Sequence, residues 1–105
     1  MSAAQLTTAQ ELIGDIAPKF AELTDTVLFD DIWERPAISK RERSLITIAA
    51  LISGGNFEQL PSHLQRAVAN GINPDEIHET ILHLAFYAGW PRAMSAVGIA
   101  RQALD

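Results

Sequence analysis

The apolar positions of this chain repeat at helical spacing almost from its start. Thr8 begins the first helical signal, with Glu11 as the reciprocal partner of a capping box. Leu12, Ile13, Ile16, Phe20, Leu23 and Val27 then recur on one face. Pro18 interrupts that face, because proline removes a backbone donor and crowds the preceding turn. The pattern predicts either a kinked helix or two short helices that abut. Leu28, Phe29, Ile32 and Trp33 carry the apolar content into a less regular stretch, and WERPAIS reads as a stiff connection broken at Pro36.

The second helix is better defined. Ser39 caps it, Glu42 returns the contact, and the run RSLITIAALIS reaches Gly54 and Gly55. From Leu45 to Ile52 only Thr47 is polar, so the helix should be covered on most of its faces. β-branched residues make a buried strand the competing reading, and the caps and the length of the run favour helix. A third helix starts at Glu58 or Pro61 and runs to Asn70, with Gly71 ending it. NPDE then sets Asn73 as cap, Pro74 in the first helical position and Glu76 as the return contact. This fourth helix carries Ile77, Ile81, Leu82, Leu84 and Ala85, with Phe86 expected in the core, and stops at Gly89. Trp90 and Pro91 open a last helix through Leu104, lined by the small residues Ala93, Ala96, Ala100 and Ala103 together with Val97.

The expectation is an all-α fold: a compact antiparallel bundle of five to six helices in a single domain, residues 1–105. A chain of 105 residues buries only about 60–65% of its extended surface. Yet 48% of its residues are hydrophobic and only 20% charged, so the surplus is expected at an interface between identical subunits. The net charge of −5, with Lys40, Arg41 and Arg43 interrupted by Glu42, offers no basic face to a phosphate backbone. Nucleic acid is therefore not an expected partner. The first residues, MSAAQLTTAQELIG, do not read as a signal peptide, and no apolar run reaches the roughly 18 residues of a membrane span. The expected location is the cytoplasm, with no membrane association. Cysteine is absent, which excludes thiolate nucleophiles and cysteine-ligated metals.

Several stretches in order carry a resemblance: WERPAIS, RERSLITIAALI, QLPSHLQRAVANGINPDEIHE and ILHLAFYAGWPRAMSA. Together, across residues 26–104, they resemble the carboxymuconolactone decarboxylase family, whose fold is alkylhydroperoxidase D-like. The resemblance implies an all-helical subunit, assembly as a trimer or hexamer, and an active site between helices near a subunit boundary. It also implies one of two chemistries. One branch reduces peroxides through a C-x-x-C pair followed by a histidine. If His63 is that histidine, Asn56 and Gln59 stand where the cysteines belong, and neither amide can form a sulfenate or a disulfide. The thiol mechanism is closed to this chain.

The other branch decarboxylates 4-carboxymuconolactone. Electrons released with CO₂ pass through the ring double bond into the lactone carbonyl, so neither a metal nor a cofactor is required. The protein has to hold a small organic anion, stabilise developing oxyanion charge and deliver one proton. By its position in the family motif, His63 is the candidate proton donor; its structural alternative is a capping or core histidine. Decarboxylase members tend to carry a glutamate four residues before the histidine, where this chain has Gln59, and the neighbouring Glu58 points about 100° away on a helix. Arg43, at the start of the buried second helix, is the candidate anion clamp or else a structural charge beside Glu42. Glu79 and His83 stand one turn apart, available either as a carboxylate–imidazole pair for proton transfer or as an interhelix contact. Gln59, Tyr87, Trp90 and Arg35 are candidates to line a substrate pocket, with Trp33 beside Arg35. Tyr87 and Trp90 serve equally well as interface or core aromatics. His78 and His83 do not share a face, and no metal-ligand spacing is present. The leading expectation is a cofactor-free carboxy-lyase. A non-catalytic binding or structural oligomer on the same scaffold is the other, favoured by Gln59.

Overall fold

The computed structural model describes residues 7–104. Part of the amino-terminal stretch read above for a leader, and the last residue of the expected domain, lie outside them. The described chain is all-helical: α1 (Ala9–Ile13), α2 (Pro18–Leu23), a π-helical turn (Thr24–Phe29), a 3₁₀ turn (Ile32–Glu34), α3 (Lys40–Gly54), α4 (Leu60–Ala69), α5 (Pro74–Tyr87) and α6 (Trp90–Ala103). No helix among the described residues is long and apolar enough to cross a membrane.

Local signals set the helix ends. Both expected capping boxes form: Glu42 N–H donates to Ser39 Oγ at 3.0 Å and Ser39 N–H to Glu42 Oε1 at 2.9 Å. At α5, Glu76 N–H donates to Asn73 Oδ1 at 2.8 Å and Asn73 N–H to Glu76 Oε1 at 3.1 Å. These backbone donations hold both carboxyl groups below the usual carboxylate range, with Arg41 adding to the effect at Glu76. Gly55 ends α3 with φ +70°, a left-handed conformation that glycine adopts without a Cβ clash.

Pro18 resolves the first apolar run into two abutting helices, since it stands in the first turn of α2. Only half of the expected Thr8 box forms: Glu11 N–H donates to Thr8 Oγ1, while Asp25 takes the Ala9 and Gln10 N–H groups. The π turn that carries Asp25 closes through Asp30 N–H to the Asp25 carbonyl at 3.0 Å. Thr24 and Thr26 donate back to the carbonyls of Phe20 and Glu22 and brace the wider turn.

The core lies among the last four helices. Ile48 and Ile52 of α3, Leu60 and Leu64 of α4, Ile77 and Ile81 of α5, and Ala96 and Ala100 of α6 are fully buried together with Ile72. α3 packs on α4, α4 on α6, α6 on α5 and α5 back on α3, so α4 and α5 occupy opposite corners. Ala93, Ala96 and Ala100 let the neighbours of α6 approach closely. A partly buried bond from Asn70 Nδ2 to Ser44 Oγ, 3.0 Å, ties the end of α4 to α3.

Two apolar expectations change, at Phe86 and Ile46, and the first apolar run proves exposed. Phe86, expected in the core, is 76% exposed, because the inner stripe of α5 runs through Ile77, Ile81, Leu84 and Ala85 and leaves the next residue outside. Leu12, Ile16, Phe20, Leu23 and Val27 do form one apolar run, and it faces outward; only Ala21 of α1 and α2 is both apolar and buried. Ile46 of α3, expected to be covered, is also exposed.

Candidate active site

His63 sits midway along α4, one turn above the exposed Gln59. Leu60, Leu64 and Ala67 are the buried stripe of that helix, so His63 and Arg66 fall at its edge, toward the π and 3₁₀ turns. Three rings meet there. Trp33 and His63 stack with centroids 6.0 Å apart, Phe29 and His63 at 6.3 Å, and Phe29 and Trp33 at 6.0 Å. Arg66 lies over this group, its guanidinium carbon 4.3 Å from the Phe29 centroid and 5.6 Å from that of Trp33.

Burial among these rings lowers the His63 pKa to about 4, and the positive charge of Arg66 adds to the effect. The imidazole is neutral at pH 7. Its Nδ1 is buried with no hydrogen-bond partner among the described residues. A buried nitrogen left unpaired is a cost to the fold, and a bound polar ligand relieves it.

The remaining candidates divide. Arg43 does not pair with Glu42, whose carboxylate is committed to Ser39. Its Nη2 donates instead to the Arg35 carbonyl at 3.1 Å, and its Nε is buried without a partner. Arg43 and Arg35 are thus brought together where the chain leaves the 3₁₀ turn, behind Trp33, and the Arg35 side chain itself is exposed. Gln59 caps α4 without a side-chain bond.

Glu79 and His83 belong to α5, at the corner opposite His63, and are not brought into its site. They line a separate cleft of about 410 Å³ with Arg41, Leu45, Glu76 and Thr80. Arg41 there pairs with Glu76, and His83 stacks on Tyr87 at 4.9 Å. Tyr87 is 80% exposed, and Trp90 meets Phe86 edge to face on the outer surface of α5 and α6. Neither walls a pocket with His63 within one chain.

Phe29 and Arg66 are the site residues that the sequence pattern does not single out. Arg66 carried a usable signal: it follows His63 at i+3, so the two share a helix face.

Residues 18–102 match the sequence model of the Carboxymuconolactone decarboxylase family, which is most of the chain. The chain belongs to the carboxymuconolactone decarboxylase family. Among its relatives, a protein of Acinetobacter baylyi (strain ATCC 33305 / BD413 / ADP1) named 4-carboxymuconolactone decarboxylase is 34% identical over 92 residues, 88% of this chain and 69% of that protein. A second, nitrosuccinic acid decarboxylase of Metarhizium robertsii (strain ARSEF 23 / ATCC MYA-3075), is 30% identical over 84 residues, 80% of this chain. This chain spans 59% of that relative's length. Both are named as decarboxylases, and the family match runs from the start of α2 to one residue short of the end of α6 and contains the whole His63 cluster.

Proposed function

We propose that this protein is a cofactor-free carboxy-lyase that decarboxylates a small, activated organic acid, with His63 as the proton donor. The observation that carries the reading is the half-buried His63 imidazole, its Nδ1 unpaired, stacked among Phe29 and Trp33 and charged upon by Arg66. The two named relatives narrow the substrate class. In 4-carboxymuconolactone the electrons of the breaking carbon–carbon bond can enter a conjugated lactone carbonyl. In nitrosuccinic acid they can enter the nitro group. Each acid brings its own electron sink and carries two carboxyl groups, so 4-carboxymuconolactone or a close relative is the substrate we favour.

The step balances without an oxidant or reductant. The bond from the substrate carbon to its carboxylate breaks, CO₂ leaves with the carboxylate oxygens, and the electron pair moves into the acceptor. One proton is then added to carbon. A neutral imidazole is a poor acid, so His63 has to acquire that proton first. An anion bound beside it offsets the Arg66 charge and pairs with the imidazolium, and both effects raise its proton affinity. Phe29 and Trp33 keep the surroundings apolar, where a delocalised carbanion is favoured over a hydrated carboxylate.

The site is open on one chain, and we propose that a second copy completes it in a homo-oligomer, a trimer or hexamer. Leu82, Phe86, Trp90, Met94 and Val97 form an exposed apolar face on α5 and α6 that such a copy would cover.

Purified protein incubated with 4-carboxymuconolactone and, separately, with nitrosuccinic acid tests the reading. CO₂ release from either, lost in His63→Ala, supports it. No CO₂ from either acid with folded protein overturns it.

A further inference from the structure

Arg66 enters the proton-transfer step only through its charge. Its guanidinium carbon lies 4.3 Å from the centroid of the Phe29 ring, a cation–π contact that leaves its N–H groups without a carboxylate partner among the described residues. No carboxylate among the described residues lies within ion-pair distance of it; the ion pairs found are Lys19–Glu22, Lys40–Glu34 and Arg41–Glu76.

The same side chain lines a cleft of about 230 Å³ with Thr8, Asp25, Phe29 and Asp30, a volume suited to a small acid. Asp25, whose two oxygens accept from Ala9 N–H and Gln10 N–H at 3.0 Å each, keeps its charge in the same cleft but forms no ion pair with Arg66. Arg43, the other candidate for this role, donates to the Arg35 carbonyl from Nη2 and does not line this cleft. A half-buried guanidinium with no direct ion pair among the described residues gains from a carboxylate bound in contact with it.

We infer that Arg66 binds a carboxylate that stays on the substrate, drawn in through the Thr8–Asp30 cleft, while His63 on the same helix face addresses the carbon that loses CO₂. The inference rests on the lyase reading for the identity of the anion, and on the geometry alone for the existence of the site. It makes Arg66 a specificity determinant for acids with two carboxylates over acids with one. Asp30, in the same cleft, opposes anion binding.

The test is titration of the full chain with succinate and with its uncharged diamide, following the His63 imidazole resonances by NMR. Succinate should give a saturable shift in the wild type and the diamide none. Arg66→Gln should weaken succinate roughly tenfold or more, the loss of a charge-assisted contact, with Arg66→Lys in between. Asp30→Asn, which leaves Arg66 intact, should tighten binding. Equal succinate affinity in wild type and Arg66→Gln overturns the inference, and so does the absence of a saturable shift in the wild type. The two readings separate cleanly. If the protein releases no CO₂ but still needs Arg66 for succinate, only the lyase reading fails. If Arg66→Gln decarboxylates with unchanged KM, only the anion site fails.

Discussion

Arg43 donates from Nη2 to the carbonyl oxygen of Arg35, 3.1 Å away, and so fastens α3 to the chain just past the 3₁₀ turn. That turn carries Trp33, which stacks on His63. Arg43, which the sequence leaves open as an anion clamp or a structural charge, thus ties α3 to the segment that carries the aromatic wall of the site.

Replacing Arg43 by Ala should therefore cost stability before it costs binding. Loss of one charged donor to a carbonyl amounts to about 1 kcal/mol, read from the urea midpoint. Trp33 should also become more mobile, which fluorescence reports in a Trp90→Phe background. A large rise in KM with unchanged stability would instead return Arg43 to the anion.

His63→Ala should lower kcat by roughly 10²–10⁴-fold, the range for losing a general acid. Circular dichroism and assembly should not change, because Leu60, Leu64 and Ala67, not His63, hold α4 in the core. His63→Gln preserves volume and polarity without a titratable proton. Its failure to restore turnover separates proton transfer from packing.

How far the chain could be read in advance follows from the range of each signal. The capping boxes at Ser39 and Asn73 are formed by residues three apart, so spacing alone reveals them. Phe86 was misplaced because periodicity marks an apolar stripe but not which of two adjacent stripes meets α3 and α6. Glu79 and His83 are well spaced on α5, but the order of helices round the bundle sets them opposite α4, and no local pattern encodes that order. Arg66 and Phe29 escaped notice for a related reason. Phe29 lies in an irregular π turn, and only the folded chain brings its ring under the guanidinium.

Protonation of His63 should couple acidity to stability. Its pKa is depressed from 6.5 to about 4 in the folded chain, so the unfolded chain binds the proton more readily. The stabilising contribution is full above pH 6.5 and is lost progressively as pH falls toward about 4, below which it changes no further. Thermal unfolding from pH 7.5 to 4 should show this slope, and His63→Gln should flatten it. Arg66, the charge on the same helix, bears on the imidazole, and Asp25 and Asp30 share a cleft with Arg66, so the NMR titration belongs on wild type and Arg66→Gln together. The variant should raise the His63 pKa, since it removes the Arg66 charge while much of the burial remains. An unchanged value would show that the charge of Arg66 does not reach the ring.

The outer face of α5 and α6 gives the last expectation. Leu82, Phe86, Trp90, Met94 and Val97 stand together in solvent, with Phe86 and Trp90 in edge-to-face contact at 6.2 Å. A contiguous apolar patch of this kind is uncommon on a lone subunit, whereas burial in a symmetric contact returns about 25 cal/mol for each Å² of apolar area. A carboxylate set in the middle of that contact would be desolvated without a partner. If this face is the contact of the homo-oligomer proposed above, Phe86→Glu and Met94→Glu should give monomers where the wild type is assembled, measured by light scattering coupled to size exclusion. The single-chain core lies on the other side of α5 through Ile77, Ile81 and Leu84, so helicity should be retained. If the site draws groups from a second copy, these monomers should lose turnover although His63 and Arg66 are intact. Monomers that keep full turnover would confine the chemistry to one chain.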